Sequence, residues 1–145
     1  MARLQLSKAQ LAKETSALAR YRRYLPALDL KRKQLIGERN RARARLAERE
    51  AAIAERVEAI GAEIPMLANR EIDLAGLVRV ERLEVGERNA VGQRLPVLER
   101  LDLAVAPYGW MLRPHWVDRA AGRLKEVVRL EVEARLLRRE IALLD

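Results

Sequence analysis

The sequence predicts a mainly α protein, a long antiparallel coiled-coil hairpin of N- and C-terminal helices with a small β-hairpin region inserted between them. Three observations predict it. A heptad register runs through Leu4, Leu11, Leu18, Leu25, Arg32, Arg39, Leu46, Ile53, Ile60 and Leu67, and a repeat of seven held that long marks a helix that wraps another helix. Near the other end, Val117, Ala120, Leu124, Val127, Leu130, Ala134, Leu137, Ile141 and Leu144 step by three and four, which is a second helix of the same kind. Between them the period drops to two around a Gly/Asn loop, a β-hairpin signal.

The first helix is predicted over residues 3–64, within an N-terminal coiled-coil unit at 1–65. A helix of that length is roughly 90 Å long. Beside the main rung sits a companion three residues on, at Ser7, Glu14, Tyr21, Leu28, Leu35 and Ala42. Later the companion moves to four residues on, at Val57 and Ile64, a drift that keeps one seam of a nearly straight helix in contact. Pro26 predicts a kink or local break near Tyr24 to Pro26, and Pro65 supplies the stop. Two rungs of the seam are arginines, Arg32 and Arg39. They either lay their stems over the apolar stripe or fix register against a partner.

Residues 66–113 read as a connector that carries the β-hairpin. Val78, Val80, Leu83 and Val85 are expected to face Leu95, Val97, Leu101, Leu103 and Val105, and a slip in each run predicts a bulge. Gly86, Asn89 and Gly92 are placed in the hairpin turn, and Pro96 marks its strand as an edge. A lone two-stranded hairpin is marginal in water, so this one must lean on the rod or on a partner. Pro114 fits the first position of a new helix, and residues 114–145 form the C-terminal coiled-coil helix, roughly 45 Å long. The seam is expected to be built from Leu4, Leu11, Leu18, Leu25, Leu46, Ile53 and Ile60 on one side and Val127, Leu130, Leu137 and Ile141 on the other. The second helix covers about half of the first, by the rise per residue, so the stripe from Leu4 to Leu25 is left without a partner in the chain.

Composition sets the class. The chain has 145 residues, half of them hydrophobic, yet only 3% aromatic and without phenylalanine, which leaves little for a thick globular interior. Alanine, leucine, glutamate and arginine dominate and suit long exposed helices. There is no cysteine, hence no disulfide framework and no thiolate metal site. The net charge is +8, which permits an acidic protein, an anionic lipid or a nucleic acid as partner. No stretch approaches the roughly 20 apolar residues of a membrane span, and MARLQLSKAQ lacks the apolar core of a signal peptide. The expectation is a cytoplasmic protein with no direct membrane insertion.

Little in the sequence invites catalysis. His115 stands alone in RPHWVD without the company a metal site needs. Carboxylates are paired with arginines at helical spacing, which suits surface support. No Gly-rich phosphate loop exists, and Ser7 and Ser16 have no base in reach. The expectation is no catalytic residue, no cofactor and no metal. The block YRRYLPALDLKRKQL has the look of a nucleic-acid stripe but no binding motif around it, so a basic coiled-coil nucleic-acid adaptor or scaffold is the alternative reading.

The opening MARLQLSK, the block YRRYLPALDLKRKQL, and above all IPMLANREIDLAGLVRVERLEVGERNAVGQRLPVLERLDLAVAPYG followed by PHWVD resemble the D subunit of the V-type and archaeal A-type rotary ATPases, most closely the bacterial V-type ATP synthase form. The resemblance implies a non-catalytic central-stalk rotor shaft. It would transmit torque between a catalytic head of A and B subunits and a membrane rotor, helped by the small F subunit of the stalk and a funnel-shaped subunit beneath. It implies a location peripheral to the membrane. Leu4 to Leu25 would lie near the tip inside the head, with Arg20, Arg22 and Arg23 as candidate head-contacting residues, and Leu77 to Val105 lower on the stalk. Family members continue for several tens of residues beyond this point, so the resemblance also implies a shortened C-terminal helix.

Overall fold

The structure, a computed structural model, describes residues 7–64, 75–107 and 116–145. Expectations that fall on Leu4, Pro65, Leu67, Pro114 and His115 lie outside the described residues. The order of elements is helix, two strands, helix.

The first helix, α1, spans Lys8–Glu63, 56 residues, or about 84 Å. Ser7, expected inside the helix, is instead its N-cap. Its backbone is extended, with φ −126° and ψ 153°, and its Oγ accepts the Gln10 N–H at 3.2 Å. A serine oxygen satisfies one of the amide donors that a helix start leaves without a partner, which favours serine there over a place inside the helix. At the other end the Ile64 N–H donates to the Ile60 carbonyl at 2.9 Å. The local break expected at Pro26 does not occur, because α1 runs through it as one element. Proline removes a single intrahelical hydrogen bond, and the long runs on either side keep theirs.

Strands β1, Val78–Ala90, and β2, Gln93–Val105, pair antiparallel as the single two-stranded sheet among the described residues. Val78 lies opposite Val105, Val80 opposite Leu103 and Leu83 opposite Leu101. Val85, however, faces Leu98 rather than Val97, and Val97 faces Gly86. The reason is the bulge. The register slips between Val80 and Arg82, and again between Glu84 and Val85, leaving Glu81 on one strand and Glu99 on the other as the extra residues. The slips keep Val78, Val80, Leu83 and Val85 on one face with Leu98, Leu101, Leu103 and Val105, and put Leu95 and Val97 on the other.

The turn is the pair Val91–Gly92, both with positive φ, 55° and 85°, the mirror-image geometry whose twist matches that of the flanking strands. The Asn89 Oδ1 accepts the Gly92 N–H at 2.9 Å. Gly86, expected in the turn, sits within β1 instead. The ladder continues past it to Ala90, and the Glu99 side chain crosses the place where a β-carbon would stand. Val91 is the anomaly, since a β-branched residue in the left-handed region is strained. Val91→Asn is expected to raise stability by about 1 kcal/mol. The measurement is a urea midpoint shifted upward at unchanged slope.

The second helix, α2, spans Trp116–Leu144, 29 residues, or about 43 Å. Ile64, Leu77, Trp116, Val117, Ala120 and Ala121 form a buried cluster, with Val105 and Leu124 packed against it. The end of α1, the entry to and exit from the hairpin, and the start of α2 thus meet in one apolar knot. The Ala106 N–H donates to the Leu77 carbonyl at 2.8 Å and ties the strand ends there.

Candidate functional site

The surface that could do work here is that of a rod, and three zones of it differ in chemistry. The first is the stretch where the helices are joined by ion pairs. Arg39 reaches Asp145 at 3.1 Å, Glu50 meets Arg138 at 2.9 Å, and Arg49 meets Glu133 at 2.8 Å. Farther along, Arg56 meets Glu126 at 3.2 Å and Glu63 meets Arg123 at 3.1 Å. Each of these pairs joins residues far apart in sequence, from Arg39–Asp145 to Glu63–Arg123. Between the charged flanks Ala42 and Ala134 are fully buried, Ile60 is buried, and Leu46, Ile53, Val127, Leu130, Leu137 and Ile141 are half-buried. Small alanines let the backbones approach, while the arginines lay apolar stems along the flanks.

Sequence reasoning expected carboxylates paired at helical spacing. Some are, such as Glu131 with Arg135 at 3.1 Å, but most of the ladder joins residues far apart in sequence. The Arg135 guanidinium hydrogen-bonded to Glu131, with Arg138 close by, holds that carboxyl below the usual glutamate range. The hydrogen bond to Glu50 pushes Arg138 in the opposite direction, upward.

The second zone is a charged node where the hairpin meets both helices. Glu140 is 3% exposed. Its carboxylate accepts from the Arg45 guanidinium of α1 at 2.8 Å and from the Arg88 guanidinium of β1 at 2.6 Å. Arg88 also lies 3.4 Å from Glu38. A buried carboxylate is retained only when its charge is met, and here two arginines meet it. None of these four residues was singled out by the sequence pattern. Glu140 sits in a helix rich in charge, and only the fold shows that its side chain turns inward.

The third zone is the part of α1 that α2 does not reach. Leu11, Leu18, Leu25 and Leu28 are 68%, 47%, 62% and 63% exposed, and Arg20, Arg22 and Arg23 are exposed beside them. Arg32 is exposed as well, whereas Arg39 is half-buried at the end of α2. Charge is distributed unevenly along the chain. Residues 1–36 carry nine basic side chains and two acidic ones, so +7 of the net +8 lies there and the remainder is almost balanced. Among the described residues, every ion pair involves residues from Glu38 onward. This end is therefore basic, apolar and unpaired at once.

Among the described residues, no group of histidine, aspartate and glutamate is placed to hold a metal ion, and no helix is long and apolar enough to cross a membrane. The geometry defines an elongated helical rod with a side-mounted hairpin. The family model that describes the D subunit of ATP synthase matches residues 10–145. The V-type ATP synthase D subunit of Borreliella burgdorferi is 26% identical over 148 residues, an alignment covering 99% of this chain and 71% of that protein. The chain belongs to the ATP synthase D-subunit family.

Proposed function

We propose that the chain is the central-stalk rotor shaft of a V/A-type, proton- or sodium-translocating ATPase or ATP synthase, and that it performs no catalysis itself. In this reading α1 and α2 form an antiparallel coiled coil that carries torque between the A and B subunits of the head and the membrane rotor. The F subunit and the funnel-shaped subunit bind lower on the stalk. The working division is an N-terminal coiled-coil helix at 1–65, a hairpin-bearing connector at 66–113 and a C-terminal coiled-coil helix at 114–145, all on the cytoplasmic side of the membrane and peripheral to it.

The observation that carries this reading is the family match over residues 10–145 on a pair of helices braced by ion pairs. Two helices braced by cross-linked charges resist bending and twisting more than one does. The concentration of basic side chains in residues 1–36 suits a surface that meets acidic groups of neighbouring subunits. A sleeve with acidic groups would meet the basic surface in steps as the shaft turns, and solvated arginines avoid a single sticky position. Triple charge reversal at Arg20, Arg22 and Arg23 is expected to change the ATPase rate of the assembled complex severalfold while assembly persists. Unchanged turnover would count against contact with the head. A steeply salt-dependent affinity of the chain for DNA or RNA would favour the adaptor reading instead.

A further inference from the structure

The hairpin meets the helices at its two ends, and the two attachments are chemically unlike. At its base, Leu77 and Val105 belong to the apolar knot formed with Ile64, Trp116 and Val117. Toward its tip, Ala90 and Leu95 are buried, and Arg88, the ladder partner of Leu95, reaches Glu140 of α2 at 2.6 Å. Between these points Val80, Leu83 and Val85 of β1 are exposed, while Pro96, Val97 and Leu98 of β2 are half-buried and share a shallow pocket with Leu136 and Leu137 of α2. The hairpin is thus held at its base by non-directional burial alone, and toward its tip by the buried Leu95 and Ala90 together with the charges that Arg88 gives to Glu140 and Glu38.

We propose that the Arg88–Glu140 contact is a latch that holds the far end of the hairpin against the helix pair, and that the hairpin swings about its apolar base as one unit when the latch opens. The arrangement around Glu140 makes opening feasible. A buried carboxylate stripped of every partner is strongly disfavoured, but Glu140 keeps Arg45 at 2.8 Å when Arg88 leaves. Arg88 in turn is 36% exposed at its side chain, so its guanidinium finds water without crossing an apolar barrier. Leu95 lifts with Arg88 because the two are paired in the ladder, and exposing that leucine makes the latched form the resting one. The base is indifferent to charge and stays closed throughout.

The chain has no cysteine, so two introduced cysteines can be spin-labelled uniquely in the full chain. Arg94→Cys places one label on β2 beside the turn, and Glu48→Cys places the other on an exposed position of α1. Electron–electron resonance on this pair should give one narrow distance. Arg88→Gln and Glu140→Gln should each shift population to longer distances, Arg88→Lys should restore the narrow one, and Arg45→Gln should leave it unchanged. An unaltered distribution in Arg88→Gln and Glu140→Gln would overturn the latch. So would an equal shift in Arg45→Gln, which would mean that the helix pair as a whole had loosened. If Glu140→Gln loses its helical circular dichroism, the Arg88→Gln and Arg88→Lys pair decides alone, because that side chain is half-buried on a strand and its removal leaves the helices intact.

Discussion

Replacing Arg45 and Arg88 together by methionine is expected to destabilise the chain by about 3–5 kcal/mol, the cost of leaving a buried charge without a partner. Glu140 is the buried member of the trio at 3% exposure, while both arginines are partly open to water. Removing either arginine alone leaves the carboxylate one guanidinium, so each single change should cost about 1 kcal/mol, the scale of one charge-assisted hydrogen bond after solvent exchange. The double change should therefore exceed the sum of the singles. Urea denaturation of the four proteins measures it directly. Additive losses would mean that water already reaches Glu140.

Leu95→Ala carries the second large effect, about 2–5 kcal/mol for truncating a large aliphatic in a packed site. Leu95 is fully buried although it lies on a two-stranded hairpin that by itself would be marginal. The same truncation at Leu83, which is 46% exposed, should stay within about 1 kcal/mol, near the range of surface changes. Amide exchange should show lost protection along β2 in the first variant and little change in the second. Equal losses in both would mean that the two faces of the hairpin are equally buried.

Those two residues show where sequence reasoning works and where it stops. Both are leucines in alternating runs, and alternation identifies a hairpin without saying which face meets the rod. Register is similarly divided. The pairs from Val78 to Leu83 follow from alternation, but Val85 meets Leu98 because the extra residue at Glu99 shifts the ladder. Bulges of this kind are set by what each face must touch, and that depends on the helices. Gly86 reads as a turn residue by type, yet the Val91–Gly92 pair makes the turn, closing on a valine that turn preferences would have rejected. Ser7 reads as a companion of the first rung inside the helix and proves to be a cap, since period and capping compete at a helix end.

The helices, the hairpin between them and the family resemblance are legible in the sequence alone, because each rests on periodicity or on a contiguous block of residues. The match to the D-subunit family over residues 10–145 agrees with that resemblance. The mismatch in length between the two helices is legible too, since rise per residue converts one count into the other. The ladder from Arg39–Asp145 to Glu63–Arg123 and the Glu140 node came only from the tertiary structure. Charged side chains recur throughout both helices with no period of their own, so nothing local says which arginine meets which glutamate. Their pairing depends on how two rods and a hairpin lie together in space. Periodicity alone made this chain a rod, and packing decided which charges brace it and how its hairpin is held.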